Sequence, residues 1–76
     1  MKEKINNIFI DRLGYASQDI KETTKLKQDL QLDEIDELEV VFDIEDEFNI
    51  PIDEVAFGEL ETIGDVYKFV ESKIKG

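Results

Sequence analysis

Apolar positions in residues 2 to 13 recur with a helical period: Ile5, Ile8, Phe9 and Leu13 form one stripe, and Gly14 follows as a C-terminal stop. The spacing predicts a first helix there. Residues 15 to 33 lose that period and are rich in Ser, Thr, Gln, Asp and Lys. Ile20, Leu26 and Leu30 stand alone among them, placed to pin a long loop to a core. A loop of this length is unusual in a small domain and needs a reason.

Residues 29 to 48, DLQLDEIDELEVVFDIEDEF, hold ten acidic and nine apolar residues and no Lys or Arg. On a helix, Asp36, Glu39, Asp43, Asp46 and Glu47 fall within an arc of about 100°. Ile35, Leu38, Val40, Val41, Phe42, Ile44 and Phe48 spread over roughly 220°. One neighbouring helix cannot cover so wide an apolar face. Part of it meets several core elements or stays exposed for a partner, with Ile35 and Phe42 the candidates for exposure; the pattern alone is equally met if all seven are core. Asp33 fits the N-cap, with Glu34 and Asp36 adding acid where the helix dipole is positive. Asn49, Ile50 and Pro51 end the helix, because Pro disfavours helical geometry in the residue before it.

Residues 53 to 60 suggest one or two helical turns with Val55, Ala56 and Leu60 inward, although Gly58 weakens them. Thr62 then caps a last helix carrying Ile63, Val66, Phe69, Val70 and Ile74 at helical spacing, closed by Lys73, Lys75 and Gly76. No alternating strand pattern or internal repeat is present. The expected fold is an all-α bundle of three main helices and a short fourth, with a long loop between helices 1 and 2.

With 76 residues the chain is expected to form a single domain over residues 1–76. Cys and His are both absent, which removes thiolate zinc sites, Cys nucleophiles, imidazole bases and Ser-His-Asp arrangements. A non-enzyme is expected. The longest apolar run is three residues, so neither a signal peptide nor a membrane span is expected, and the expected setting is the cytoplasm.

The net charge of −11 is unevenly placed: residues 28 to 67 contain fifteen acidic side chains and no basic one. Such a block repels nucleic acid and anionic lipid and attracts basic partner surfaces. A soluble, solvated surface has the same composition. Asp43, Asp46 and Glu47 share a helical face and suggest non-specific Ca²⁺ or Mg²⁺ association, but no EF-hand spacing accompanies them.

The order of these motifs resembles the acyl carrier protein family, whose signature is Asp-Leu-Gly-x-Asp-Ser-Leu at the start of an acidic second helix. Asp29, Leu30, Asp33, Ile35 and Asp36 stand at matching positions, Glu39 falls on a commonly acidic one, and Glu47-Phe48 precede Ile50-Pro51. Thr62-Ile63-Gly64-Asp65 is similar to the family's Thr-Val-Gly-Asp, and Leu13-Gly14 sits where its first helix ends. The resemblance implies docking through helix 2 on basic-surfaced enzymes of fatty-acid, polyketide, lipid-modifying or peptide-synthesis pathways, by a monomer. Asp33, Glu34, Ile35, Asp36, Glu39, Phe42, Glu45 and Asp46 are the implied partner-binding residues.

The departure lies at Glu34, where the family has the Ser whose hydroxyl accepts 4′-phosphopantetheine. A carboxylate cannot form that phosphodiester, so no cofactor is expected on the chain as written, and neither Ser17 nor Ser72 lies in the required context. Three accounts stand side by side: a carrier-like protein that has lost the arm, a working carrier seen as a Ser-to-Glu variant, and a Glu that supplies fixed negative charge where the phosphate would sit. Gln31 replaces the usual Gly, at a position the resemblance implies to be permissive.

Overall fold

The computed structural model describes residues 1–75. Four α-helices are found among them: α1 (Lys2–Leu13), α2 (Glu34–Phe48), α3 (Glu54–Gly58) and α4 (Ile63–Lys75). A single 3-10 turn, Ser17–Asp19, interrupts the first connection. This is the all-α bundle that the periodicity predicts. Gly76, read as the end of the last helix, lies outside the described residues.

Each helix ends for a local reason. Gly14 adopts a left-handed conformation (φ 79°), and its N–H donates to the Ile10 carbonyl at 2.8 Å, closing α1. Asn49 does the same for α2 at φ 56°, so that helix stops at Phe48, before Pro51 bears on it. Asp33 and Asp36 form a capping box at the start of α2: the Asp36 N–H donates to Asp33 Oδ1 at 2.8 Å and the Asp33 N–H reaches Asp36 Oδ2 at 3.5 Å. Thr62 and Asp65 form a second box at α4, with both reciprocal contacts at 3.2 Å.

The core is built from Ile5 and Phe9 of α1, Val40, Val41 and Ile44 of α2, Phe57 of α3, and Ile63, Val66, Tyr67 and Val70 of α4. Phe57 meets the half-buried Phe69 edge to face, centroids 6.4 Å apart. Two expectations change. Val55 points outward, and Phe57 with Ile52 fills the interior of this segment instead. Ile74 lies in the last turn of α4, beyond the reach of the core, and is half exposed.

The long first connection has the reason it needed. Ile20, Leu26, Leu30 and also Leu32 are buried, each contributing about 1.5–3 kcal/mol against exposure. Backbone bonds lace this segment to the start of α4: the Leu26 N–H donates to Glu61 O, Ile63 N–H to Thr24 O, and Gly64 N–H to Glu22 O, all at 2.9 Å. A Cβ at position 64 would sit 3.0 Å from that Glu22 carbonyl, which accounts for the glycine. Thr24, the buried polar side chain here, is satisfied on both sides, accepting from the Lys21 N–H at 2.9 Å and donating to Asp19 O at 3.0 Å. The loop therefore delivers the chain to Asp33 in a defined position.

Candidate functional site

The site begins at Gln31. Leu30 and Leu32 are both buried although one residue separates them, and the chain manages this by placing Gln31 in the left-handed region at φ 55°. The Leu32 N–H then donates to the Leu26 carbonyl at 3.1 Å, and the Tyr15 hydroxyl donates to the Leu30 carbonyl. This corrects the reading of position 31 as permissive, because a side chain costs energy at that backbone angle and glycine does not.

The turn sets Asp33 as the cap and Glu34 as the first residue of α2, exposed at the positive end of the helix dipole. Ile35 and Phe42, seven residues apart, are 67% and 54% exposed. With half-buried Leu38 between them they make an apolar strip along α2.

The acidic residues do not form one free face. Arg12 of α1 grips Asp43 through two hydrogen bonds of 2.8 and 2.7 Å, and its other terminal nitrogen lies 3.5 Å from Glu39. That contact raises the Arg12 pKa above its ordinary value, chiefly through the Asp43 hydrogen bond and charge. Lys4 lies 3.8 Å from Glu47. Glu45 points to the other side of α2 and accepts the Ile52 N–H at 2.8 Å, fixing the turn into α3.

Among the eight implied partner-binding residues, Asp33 and Asp36 serve the helix cap, Glu39 faces Arg12, and Glu45 is a turn acceptor. Glu34, Ile35, Phe42 and Asp46 are exposed and make no side-chain hydrogen bond or ion pair among the described residues. The suggested cation cluster is not assembled: Asp43 and Glu47 face Arg12 and Lys4, and no group of three or more metal-ligating side chains occurs among the described residues. No helix among the described residues is long and apolar enough to cross a membrane.

The residues that sequence reasoning missed are Val55 and Glu54 of α3, which line a shallow groove with Glu34, Glu37, Leu38 and Val41 of α2. The hydrophobic pattern could not reveal them, because it had placed Val55 inside.

An anchored loop that feeds a capped, acidic second helix with an exposed first-turn side chain defines a carrier-type helical domain. The family model for the phosphopantetheine attachment site matches residues 3–70, and the chain belongs to that family. Domains of this family act as carriers rather than catalysts.

The family's group is 4′-phosphopantetheine, and the resemblance puts its attachment Ser where this chain has Glu34. Glu34 offers no hydroxyl at the start of α2. Ser72 lies on α4 with its hydroxyl donating to the Phe69 carbonyl at 2.7 Å, and Ser17 sits in the 3-10 turn, apart from any helix start of the required kind.

Proposed function

We propose that this protein is a carrier-like docking module that cannot be loaded: it engages basic-surfaced enzymes of acyl metabolism through the exposed part of α2 and carries no arm. Glu34 is the observation on which the reading rests, since it stands, exposed and in the first turn of α2, where the resemblance puts the attachment Ser. The anionic segment from residue 28 to 67 supports the basic character of the partner. Fatty-acid, polyketide, lipid-modifying and peptide-synthesis enzymes are the candidate partners, in the cytoplasm and with a monomeric chain.

One experiment addresses both halves. The wild-type chain and Glu34→Ser are incubated separately with coenzyme A and a broadly acting phosphopantetheinyl transferase, and their masses are compared. Glu34→Ser gains one phosphopantetheine and the wild type gains none. Wild-type chain added in excess then slows loading of Glu34→Ser, more strongly at low salt, because it occupies the transferase without being consumed. Loading of the wild type overturns the armless reading, and an absence of competition overturns the docking reading.

A further inference from the structure

We infer that Arg12 is an internal competitor for α2: its guanidinium occupies carboxylates in the middle of that helix, and a cation arriving from outside reaches them only by exchanging with it. The inference rests on the docking reading above for its use and adds a regulating contact that the chain makes with itself.

Arg12 lies in the last turn of α1, two residues before the left-handed Gly14 that closes the helix. Its Nε and one terminal nitrogen donate to the two oxygens of Asp43 at 2.8 and 2.7 Å, and the other terminal nitrogen lies 3.5 Å from Glu39. Glu39 and Asp43 are four residues apart on α2, so one planar fork spans both. Phe42, exposed, stands beside Asp43 in the chain, and a basic side chain laid over it meets carboxylates that are already paired. Asp46 lines the same α1–α2 groove and has no ion pair among the described residues. It gives an arriving cation a first foothold three residues from the latch.

The contact is placed to be given up. The Arg12, Glu39 and Asp43 side chains keep 42%, 43% and 28% of their exposure, so water and salt reach the pair. α1 is fixed to the bundle without it, by the fully buried Ile5 and Phe9 and by Asn6, which accepts from the Tyr67 hydroxyl. An exposed pair of this kind alters a competing equilibrium by at most about fivefold. That grades the attraction of α2 for cations without abolishing it. The two-bond grip needs the guanidinium fork, which lysine lacks.

The test is an NMR titration of the full chain with octalysine, read at the backbone amides and at the Nε–H of Arg12, the chain's single arginine. The Nε–H signal is expected to move to the position of a solvated guanidinium as the amides of residues 39–46 shift. Arg12→Met binds octalysine about threefold to fivefold more tightly than the wild type, and Arg12→Lys about twofold. Lys68→Met, which takes the same charge from an exposed position on α4, gains clearly less. Arg12→Lys keeps the net charge, so its gain cannot come from a more acidic chain, and it carries the comparison where Arg12→Met unfolds. A lower melting temperature joined to tighter binding is the signature of a competitor, since a merely structural contact does not strengthen binding when it is lost. Octalysine bound with the Arg12 signal unmoved, no binding of octalysine, Arg12 variants that bind no more tightly than the wild type, or an equal gain in Lys68→Met each overturn the inference. The transferase competition is run with Arg12 in place and decides the docking reading separately.

Discussion

Replacing Gln31 by Gly is predicted to stabilise the protein. Gln31 holds φ 55° with its side chain exposed and without a side-chain hydrogen bond among the described residues. A non-glycine residue in the left-handed region costs about 1–2 kcal/mol relative to the right-handed one. Glycine gives back about 0.4–1 kcal/mol through the greater freedom of its unfolded chain. The net gain is about 0.5–1 kcal/mol. An unfolding entropy of about 2.1 cal/mol/K per residue gives about 0.16 kcal/mol/K over 76 residues, so the melting temperature rises by about 3–6 °C. Gln31→Ala separates backbone from side chain, since it removes the amide but keeps the Cβ, and it leaves the melting temperature nearly unchanged. Asn49→Gly, at φ 56°, gains only a few tenths of a kcal/mol because asparagine tolerates this region. Thermal melts followed by circular dichroism, with urea titrations in the same buffer, measure all three. If Gln31→Gly behaves like Gln31→Ala, or melts lower than the wild type, the backbone at 31 is not the source of strain and the argument fails.

Two further predictions concern charge. Arg12→Met lowers the melting temperature, since Asp43 and Glu39 lose their shared cation, and the deficit shrinks as salt rises from about 10 mM to about 1 M and the Debye length falls from about 30 Å to about 3 Å; a deficit independent of salt argues instead for lost packing. Asp65 accepts the N–H groups of Glu61 and Thr62, which hold its carboxyl below the ordinary value of 3.8. A depressed folded-state pKa means stability that is fully present above the unfolded value and lost as pH falls through the folded one. Asp65→Ala therefore costs about 1 kcal/mol near neutrality, and urea titrations at descending pH show wild type and variant converging below the unfolded value; a constant gap at all pH values contradicts the assignment.

The helices were legible because each long one has enough turns for its apolar residues to define a phase. Ile5 with Phe9, Val40 with Val41 and Ile44, and Ile63 with Val66 and Val70 all lie on the faces that the helical period assigns to the core. Asp33 and Thr62 were readable as caps because capping is a local contact between a side chain and the next turn. Ile20, Leu26 and Leu30 were readable as anchors because lone apolar residues in a polar loop have few other uses. The apolar arc, too wide for one neighbour, marked Ile35 and Phe42 only as candidates for exposure, and it was the packing that left both of them exposed.

The candidate surface was only partly legible, since charge along a sequence does not say which charge is already spent. Glu39 and Glu45 look alike in the chain, yet one faces Arg12 from α1 and the other closes the turn to Ile52. Those roles depend on how α1 and the α2–α3 turn pack on α2, between residues far apart in sequence or on opposite sides of one helix.

By itself, then, the amino-acid order determined the helical class, the extents of the three long helices, the acidic character of α2 and the absence of a hydroxyl at position 34. The tertiary structure decided that Val55 turns out while Phe57 turns in, that Gln31 adopts a left-handed backbone, and that Glu39, Asp43 and Glu47 of α2 are met by cations from α1. The physical reason is one of range. Period and capping act within a few residues, but a five-residue helix has no phase of its own, a backbone angle is set by where both flanking leucines must go, and a carboxylate's freedom depends on cations brought to it by another helix.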